Sequence, residues 1–588
     1  MIVPMKKITV LALADDLDAA VDALAGLGAV HVKHAVQPTG ERVERITALR
    51  RKLRLVLAAM PDDAGGGPTG MEPARTVRRG FEVIRRKKLV GERLDELRGW
   101  ERRLAPFGNF DPADLDRLEE AGVYVTLHNV GVKESLAIPD GAAAIELSRG
   151  KNSAALAVVA LERPFDGPGR VFAGDRSLKD LRGEIEALEK ELSELDERMR
   201  RLAGDRGRVE ELLAGIEKRL EYAEVSAGMG SVDMQREPLV LLRGYVPAPA
   251  EEHLMASVAQ NGWGLILEDP EEGDDPPTLL RNPSWVRPVK AVFDAVGVLP
   301  GYRESDVSAP MLLFLSLFFA MLVGDAGYGL LFMVLAAVGK AKFKRVPNEV
   351  FTLLFIMSGC TVVWGVLTGN WFGLSGPPGP LAGLKIKWLT GPNADENIMG
   401  LTFLIGAVHL TLAHAWTVVR LAPDTRALAQ FGWLGVTWVM YFAAMSLVLM
   451  RPFPQYAFWV LGAGIALIVI FTVPPSRIKS DWTEFVMVPL SLISNFVDVV
   501  SYVRLFAVGA ATFAVANAFN QMAADLAGGV ISGLGAALVL FFGHALNILL
   551  ASMGVLVHGV RLNTLEFAGH MGLRWSGYRY APFVSKGK

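Results

Sequence analysis

Seven long apolar runs fill the C-terminal half of the chain, and they constrain its fold more than any other feature. The hydrocarbon core of a bilayer is about 30 Å thick, so an apolar run of about 20 residues predicts a membrane-spanning helix. Residues 301–588 are therefore expected to form an α-helical transmembrane domain. The runs cover residues 309–340, 350–373, 399–421, 430–450, 455–474, 484–524 and 530–562.

The first run is long for one span and short for two, and it carries GDAGYG (324–329) at its middle. The basic segment GKAKFKR (339–345) follows it, and basic loops favour the cytoplasmic side of a membrane. Two short helices broken near Asp325 would return the chain to the side from which it entered. This predicts about eight transmembrane helices, the last two long, with Asp325 as a structural hydrogen-bonding residue at the break. A single tilted helix, which gives seven spans, is the alternative.

The same charge pattern sets the expected orientation. Both the N-terminal half and the C-terminus lie in the cytoplasm, and the protein is a multi-pass component of the cell membrane. The N-terminus is not a secretory signal, because its apolar core is short and acidic residues follow it. Residues 1–300, which hold most of the charge, are therefore expected to form a cytoplasmic domain.

Strand and helix patterns predict that this cytoplasmic domain is α+β, with two small lobes. Strand–helix–strand patterns place the first lobe at about residues 1–38 together with 230–290. A strand-rich patch places the second lobe at about 108–170.

A coiled-coil pattern lies between these lobes. Apolar residues between 178 and 202 recur at alternating spacings of three and four, which is typical of a coiled-coil seam. Helices at about 41–105 and 176–224 are thus expected to form an antiparallel coiled-coil rod that joins the two lobes. A rod with lobes at its ends is a spacer, so this half is expected to bind proteins rather than to catalyse.

Composition excludes several classes of site. The net charge of −2 provides no global field that would attract nucleic acid, and the single cysteine, Cys360, rules out an intrachain disulfide and a cysteine metal cluster. The rod carries no glycine-rich phosphate loop and no acid pair. We therefore predict no metal site and no cofactor.

Two arginines, Arg504 and Arg561, fit poorly into ordinary membrane helices. A cation at bilayer depth costs at least about 2.5 kcal/mol, and it usually faces a partner charge or a water-filled cavity. Snorkelling to the membrane surface explains Arg561, which lies near the cytoplasmic end of its run. It does not explain Arg504, which lies some twenty residues into a helix predicted to begin near position 484. Other polar residues in the runs are expected to make interhelical hydrogen bonds, namely His409, His414, His544 and Asn547.

Four segments resemble the signature stretches of one family, the membrane subunit of rotary V/A-type ATPases (subunit I in bacteria and archaea, subunit a in eukaryotes). They are LFLSLFFAMLVGDAGYGLL, SGCTVVWGVLTGNWFG, SNFVDVVSYVRLFAVG and VLVHGVRLNTLEF. The resemblance extends over essentially the whole chain. It implies that the chain is the stator of an ion-translocating rotary motor. A ring of c subunits, which carry ionisable carboxylates, would turn against it. Two offset half-channels would connect that interface to opposite sides of the membrane.

By this resemblance the essential arginine of the family falls on Arg504 and its second arginine on Arg561. The half-channels are expected to be lined by polar residues of the last two helices, with Ser491, Asn495, Asp498, Ser501, His558 and Glu566 as candidates. In an α-helix, Asp498 lies six residues before Arg504 and Glu566 lies five after Arg561, so neither acid shares the arginine's face. A structural salt bridge and a place at a channel mouth both remain open for these acids.

The resemblance also implies partners. They are the c-ring, the E and G subunits of the peripheral stalk, the C/d-type subunit of the central stalk, and membrane lipid. No nucleic acid and no directly bound nucleotide is expected, because ATP chemistry belongs to the head of the complex, so the chain is not itself catalytic for ATP. The ion, proton or sodium, depends largely on the ring's own site.

Two other functions remain open. A secondary transporter with a cytoplasmic regulatory domain often has broken helices in matching positions of two halves, and only one GDAGYG break is present here. A purely structural scaffold leaves Arg504 without an explanation. Co-purification with a c-ring separates these alternatives from the stator.

Overall fold

A computed structural model of the chain describes residues 1–34, 36–62, 67–131, 138–151, 153–233, 238–344, 346–375, 383–473, 483–526 and 528–584. Most of these residues are helical. The first eight α-helices are α1 (Leu17–Leu27), α2 (Glu41–Ala59), α3 (Pro73–Leu104), α4 (Pro112–Glu120), α5 (Leu178–Ala203), α6 (Arg206–Ala227), α7 (Glu251–Gln260) and α8 (Lys290–Val296).

The helices of the apolar half follow. They are α9 (Ser308–Val323), α10 (Ala326–Lys342), α11 (Asn348–Thr368), α12 (Lys387–Thr390), α13 (Ala394–Leu421), α14 (Arg426–Leu449), α15 (Tyr456–Phe471), α16 (Thr483–Ser501), α17 (Val503–Leu526), α18 (Val530–Gly554) and α19 (Ala568–His570). Two π-helical stretches, Val555–Gly559 and Leu562–Phe567, lie between α18 and α19.

The strands belong to the N-terminal half, apart from one short hairpin. They are β1 (Met5–Leu13), β2 (His31–Lys33), β3 (Tyr124–Gly131), β4 (Ala142–Arg149), β5 (Ser153–Ala160), β6 (Arg170–Val171), β7 (Gly230–Asp233), β8 (Pro238–Pro247), β9 (Gly264–Glu268), β10 (Asn370–Trp371) and β11 (Leu374–Ser375). One sheet has the order β2-β8-β1-β9, with β7 paired to β8, and a second has the order β4-β5-β3-β6. In the second sheet β3 and β5 are antiparallel, with Tyr124 opposite Ala160 and Gly131 opposite Ser153.

Contacts divide the chain into two compact units. The first comprises Met1–Thr9, Ala29–His31 and Gly244–Pro582, and the second comprises Val10–Gly28, Val32–Arg243 and Phe583–Lys588. The apolar half therefore lies in the first unit. The division of the chain into domains at residue 300 stays a prediction.

Four long helices dominate the second unit. The pairs α3 with α5 and α2 with α6 pack against each other, and buried apolar residues such as Leu53, Val56 and Leu195 form their core. Arg86 on α3 donates two hydrogen bonds to Glu191 on α5, at 2.6 and 3.0 Å. These bonds hold the pKa of the Glu191 carboxyl below its ordinary value. A regular coiled-coil rod remains a prediction for these helices.

The first unit contains the membrane helices. Five helical stretches of the described chain are long and apolar enough to cross a membrane. Two shorter apolar helices, α9 and α15, accompany them. The structure thus has the helices of a multi-pass membrane protein, and the total of eight spans stays a prediction. The five stretches are Asn348–Thr368, Ala394–Leu421, Arg426–Leu449, Phe485–Leu526 and Ile531–His570.

The first apolar run forms two helices with a break at Asp325. Gly324 adopts a φ of 68°, a left-handed conformation that ends α9 without steric cost. The buried Asp325 carboxylate then caps α10 by accepting from the Tyr328 amide at 3.1 Å, and it also accepts from the Gly373 amide at 2.8 Å. A single side chain therefore satisfies two backbone donors at the break.

Replacing Asp325 by alanine is expected to lower the free energy of unfolding by about 1–3 kcal/mol, because α10 loses its cap and the Gly373 amide is left buried without an acceptor. The measurement is the thermal unfolding of the detergent-solubilised protein. Glu396→Ala, at an exposed acid in the first turn of α13, is the control and should change little. Equal melting temperatures for the two variants would contradict a structural role for Asp325.

Candidate functional site

The helix that carries Arg504 is interrupted directly before that residue. α16 ends at Ser501, a turn at Tyr502 follows, and α17 begins at Val503. Arg504 lies about twenty residues into the helical stretch Phe485–Leu526, as predicted, but in the first turn of α17. Its Nε donates to the Ser501 carbonyl at 2.9 Å, so the guanidinium bonds a carbonyl at the C-terminal end of α16. A cation is also favoured at the negative end of a helix dipole.

The last apolar run changes its helical type where its functional candidates lie. After α18 the backbone is π-helical over Val555–Gly559 and again over Leu562–Phe567. A π-helix joins residue i to residue i+5, whereas an α-helix joins i to i+4. Glu566 follows Arg561 by five residues, so the wider turn brings its carboxylate toward the arginine. Of the two roles left open for Glu566, the described contacts include the salt bridge, and the π-helical turn compensates for an offset that does not suit an α-helix.

Glu566 connects the two arginines. Its Oε1 accepts from Arg504 Nη2 at 2.5 Å and lies 3.6 Å from Arg561 Nε. The side chain of Glu566 is 5% exposed, that of Arg504 22% and that of Arg561 57%. Two guanidinium groups thus share one buried carboxylate, which leaves one unit of positive charge uncompensated within this cluster. Both arginine side chains remain partly accessible.

Asp498 does not pair with Arg504 and instead begins a chain of hydrogen-bonded side chains. Its Oδ2 lies 3.0 Å from His570 Nε2, and His570 Nδ1 lies 3.1 Å from His414 Nε2. His414 Nδ1 in turn lies 2.9 Å from Gln430 Oε1. Imidazole groups can donate and accept at their two nitrogens, so this arrangement can pass a proton from one group to the next. Sequence reasoning missed His570, although it lies four residues after Glu566, one helical turn away.

These hydrogen-bonded side chains line a cavity of about 300 Å³, here called the Asp498 cavity. Of the candidate lining residues, Ser491, Asn495, Asp498 and Glu566 contribute to its wall. Asn495 donates to Thr437 Oγ1 at 3.1 Å. Ser501 instead offers its carbonyl to Arg504, and His558 is not part of the wall. One cavity thus brings together four of the six candidates.

A second cavity of about 510 Å³, here called the Lys385 cavity, is lined in part by the N-terminal half of α17. Leu505 and Phe506, which directly follow Arg504, form part of its wall, and polar groups are contributed by Asn370, Lys385 and Asp395. It touches the beginning of α13 at Ala394, whereas the Asp498 cavity touches the same helix at His414. Twenty helical residues span about 30 Å. The two cavities therefore lie toward opposite ends of a membrane helix. Arg504 adjoins both walls, through its bond to Glu566 in one and through Leu505 in the other.

The other polar residues of the apolar runs make the interhelical hydrogen bonds predicted for them. His409 bonds the Tyr502 hydroxyl at 2.8 Å, and its ring is stacked between those of Phe314 and Phe567. His544 Nδ1 lies 2.6 Å from the Tyr328 hydroxyl, to which Asn547 also donates, at 3.0 Å. For His409, His414, His544 and Asn547 the prediction is confirmed.

Comparison with known proteins decides the family. No protein-family model matches the chain. The chain is 30% identical to V-type ATP synthase subunit I 1 of Treponema pallidum, over 99% of this chain and 100% of that relative. This chain belongs to the V/A-type ATP synthase subunit I family. Its family membership and its candidate membrane helices together support a multi-pass membrane protein with a soluble N-terminal part.

Other subunit I proteins match at similar levels. V-type ATP synthase subunit I of Borreliella burgdorferi is 28% identical over 99% of each chain. A-type ATP synthase subunit I of Pyrococcus abyssi is 28% identical over 59% of this chain and 54% of the relative. A crystal structure of the cytoplasmic N-terminal domain of a subunit I aligns with 45% of this chain at 15% identity and a TM-score of 0.21, a similarity too weak to bear on the fold.

Proposed function

We propose that this chain is the stator subunit of the membrane sector of a V/A-type rotary ATPase or ATP synthase, and that it conducts ions against a rotating c-ring. The observation that carries the proposal is the position of Arg504. It adjoins the walls of two cavities that approach opposite ends of α13, and its guanidinium bonds a buried carboxylate. Two half-channels separated by a fixed cation are what a rotary ion path needs.

Arg504 acts on the carboxylates of the ring. A guanidinium stays charged at any physiological pH, and it favours the ionised form of an acid that approaches it. A ring carboxylate that reaches Arg504 therefore releases its bound ion into one cavity, and after passing the arginine it takes up an ion from the other. The same fixed charge repels a cation that would leak directly between the cavities.

Glu566 keeps this pairing from becoming permanent. Because it occupies one side of the Arg504 guanidinium, an approaching ring carboxylate meets a cation whose charge is partly compensated. Arg561, more exposed and 3.6 Å from the same carboxylate oxygen, supplies a second positive group at the interface. An ion pair between Arg504 and a ring carboxylate that was fully buried and had no competing acid would hold the ring in place. A partly exposed pair with Glu566 as competitor allows the ring to move on.

The two cavities are assigned to the two sides of the membrane by charge. The Asp498 cavity adjoins the C-terminal part of α13, which leads to the loop VVRLAPDTR (418–426). The arginines of this loop favour the cytoplasmic side, so this cavity is the inner half-channel. The Lys385 cavity adjoins the beginning of α13 and is the outer half-channel. Ser491, Asn495 and Asp498 then line the inner path, and His570 and His414 extend it. Both the N-terminal part and the C-terminus lie in the cytoplasm.

The soluble N-terminal part has a mechanical role in this proposal. It resists the torque of the turning ring by docking the E and G subunits of the peripheral stalk, and it runs beside the C/d-type subunit of the central stalk. ATP is hydrolysed or made in the head, so this chain binds no nucleotide.

Affinity purification of the tagged full-length chain from its native membranes tests the proposal. The c-ring, the E and G stalk subunits and the C/d-type subunit are expected to co-purify in mild detergent, because a stator is held by all of them. An unrelated tagged multi-pass protein purified from the same membranes is the control. Recovery of the chain without a ring would contradict the stator and favour the secondary transporter or the scaffold.

A further inference from the structure

A large cationic cavity lies outside the ion path, in the segment that precedes the first membrane helix. It has a volume of about 780 Å³ and is here called the Arg287 cavity. Four basic residues line it, which are Arg281, Arg287, Lys290 and Arg579. The acids in its wall are Asp294 and Glu349. The wall therefore carries an excess of positive charge that favours an anion.

Three of the basic groups are available to a ligand. Arg281, Arg287 and Lys290 are exposed, and within the described part of the chain none of them lies within 4.0 Å of a carboxylate. Arg579 has a carboxylate neighbour only at the edge of that limit, with its Nη1 3.9 Å from Asp294 Oδ1. Several cations facing one cavity without such partners indicate a binding site for an anion.

The wall of the cavity is held by backbone hydrogen bonds. The C-terminal tail lies beside the segment at Thr278, whose amide donates to the Tyr578 carbonyl at 2.8 Å while the Tyr580 amide donates to the Thr278 carbonyl at 3.1 Å. The Gly577 amide donates to the Leu299 carbonyl at 3.1 Å. The basic side chains are therefore carried on a pre-formed scaffold, which lowers the entropy cost of binding.

The cavity lies at the membrane boundary. Glu349 belongs to the first turn of α11, a helix apolar and long enough to span a membrane, and α8 with Lys290 packs against α11. Trp285 is 63% exposed beside the cavity segment, and Phe343 is 57% exposed in the turn that leads into α11. Exposed aromatic residues next to basic groups are typical of the level of the lipid headgroups.

We propose that the Arg287 cavity binds the phosphate of an anionic phospholipid whose acyl chains lie along α10 and α11. Basic pockets at the ends of membrane helices recognise such headgroups through the charge of the phosphate. The lipid would bridge the C-terminal tail, the linker before α9 and the first turn of α11. This site is independent of the ion path, so its test does not depend on the function of Arg504.

Native mass spectrometry of the full-length protein tests this site. The detergent-solubilised protein is incubated with mixed micelles of phosphatidylglycerol and phosphatidylcholine, and bound lipids are counted as the collision energy rises. The wild type should retain phosphatidylglycerol selectively. The variant Arg281→Gln/Arg287→Gln/Lys290→Gln should bind it about a hundredfold more weakly, because each cation near the membrane surface contributes about a fivefold factor. Lys290→Gln alone, at an exposed position that does not threaten folding, should lose about fivefold.

A matched control removes the same charge at the same end of the membrane helices. Lys340→Gln/Lys342→Gln/Lys344→Gln lies outside the cavity wall and should keep the tightly held phosphatidylglycerol. Equal retention by the wild type and the cavity variant would overturn the proposal. Complete displacement of the lipid by inorganic phosphate would also overturn it and assign the cavity to free phosphate. Loss of an associated subunit with unchanged lipid retention would assign the cavity to a protein contact instead.

Discussion

Replacing Arg504 by alanine is expected to abolish ATP-driven ion transport completely while the complex still assembles. Alanine removes the guanidinium that bonds Glu566 in the wall of the Asp498 cavity and that directly precedes Leu505 in the wall of the Lys385 cavity. In the proposed mechanism a ring carboxylate then loses the cation that favours its ionised form. Transport is measured as ion uptake into inverted membrane vesicles, and assembly as co-purification of the c-ring with the tagged chain.

Two further variants make this result specific. Arg504→Lys keeps the charge, but a lysine ammonium lacks the planar fork that reaches the Ser501 carbonyl and Glu566 together, so transport should stay far below the wild type. Arg451→Ala removes an exposed arginine beyond the end of α14 and should leave transport unchanged. Transport near the wild-type level in an assembled Arg504→Ala complex would mean that the ion path does not pass this residue.

Replacing Glu566 by glutamine is expected to destabilise the membrane domain by about 3 kcal/mol and to slow transport. Glutamine keeps the shape of the side chain but removes the carboxylate charge that Arg504 and Arg561 share, so the partly buried Arg504 guanidinium loses its ionic partner. The free Arg504 guanidinium would also hold a ring carboxylate more tightly. Thermal unfolding in detergent measures the first effect, and vesicle ion uptake measures the second.

A double variant isolates the ion pair. The double variant Arg504→Gln/Glu566→Gln removes both charges of the 2.5 Å contact, so neither is left without its partner there. Its loss of stability should therefore be smaller than the sum of the losses measured for Arg504→Gln and Glu566→Gln separately. Asp525→Asn makes the same acid-to-amide change at an exposed residue of α17 and should leave the melting temperature unaltered. Strictly additive losses would show that the Arg504–Glu566 contact contributes no coupling energy.

The break at Tyr502 could not be predicted from the sequence. The run contains no glycine or proline between positions 499 and 504, so nothing local marks an interruption. The Tyr502 side chain is fully buried, its hydroxyl bonds His409, and its ring packs so closely on α13 that a Cβ at Gly406 would lie 2.6 Å from it. Packing between distant helices therefore ends α16, and this places Arg504 at a helix start. By contrast, Gly324 and Asp325 are adjacent in the chain, so the break that they form was predictable.

The contacts of Glu566 with the two arginines were also not predictable from the sequence. In a regular α-helix the five-residue offset points Glu566 away from Arg561, and only the π-helical turns reverse this. Such turns have no local sequence signal, because each residue in them also suits an α-helix. The position of His570 one turn after Glu566 was visible in the sequence, but its contacts at 3.1 Å to His414 and 3.0 Å to Asp498 depend on the fold.

The sequence by itself predicted a helical membrane domain, the resemblance to the family that the comparisons confirm, and the two arginines that need an explanation there. These properties follow from hydropathy, charge and motifs within short stretches of consecutive residues. The tertiary structure alone decided that Glu566 joins both arginines, that Asp498 pairs with a histidine, and that two cavities adjoin Arg504. Those contacts join residues far apart in the chain, such as Arg504 with Glu566 and His414 with His570, and no local pattern encodes a distance between them.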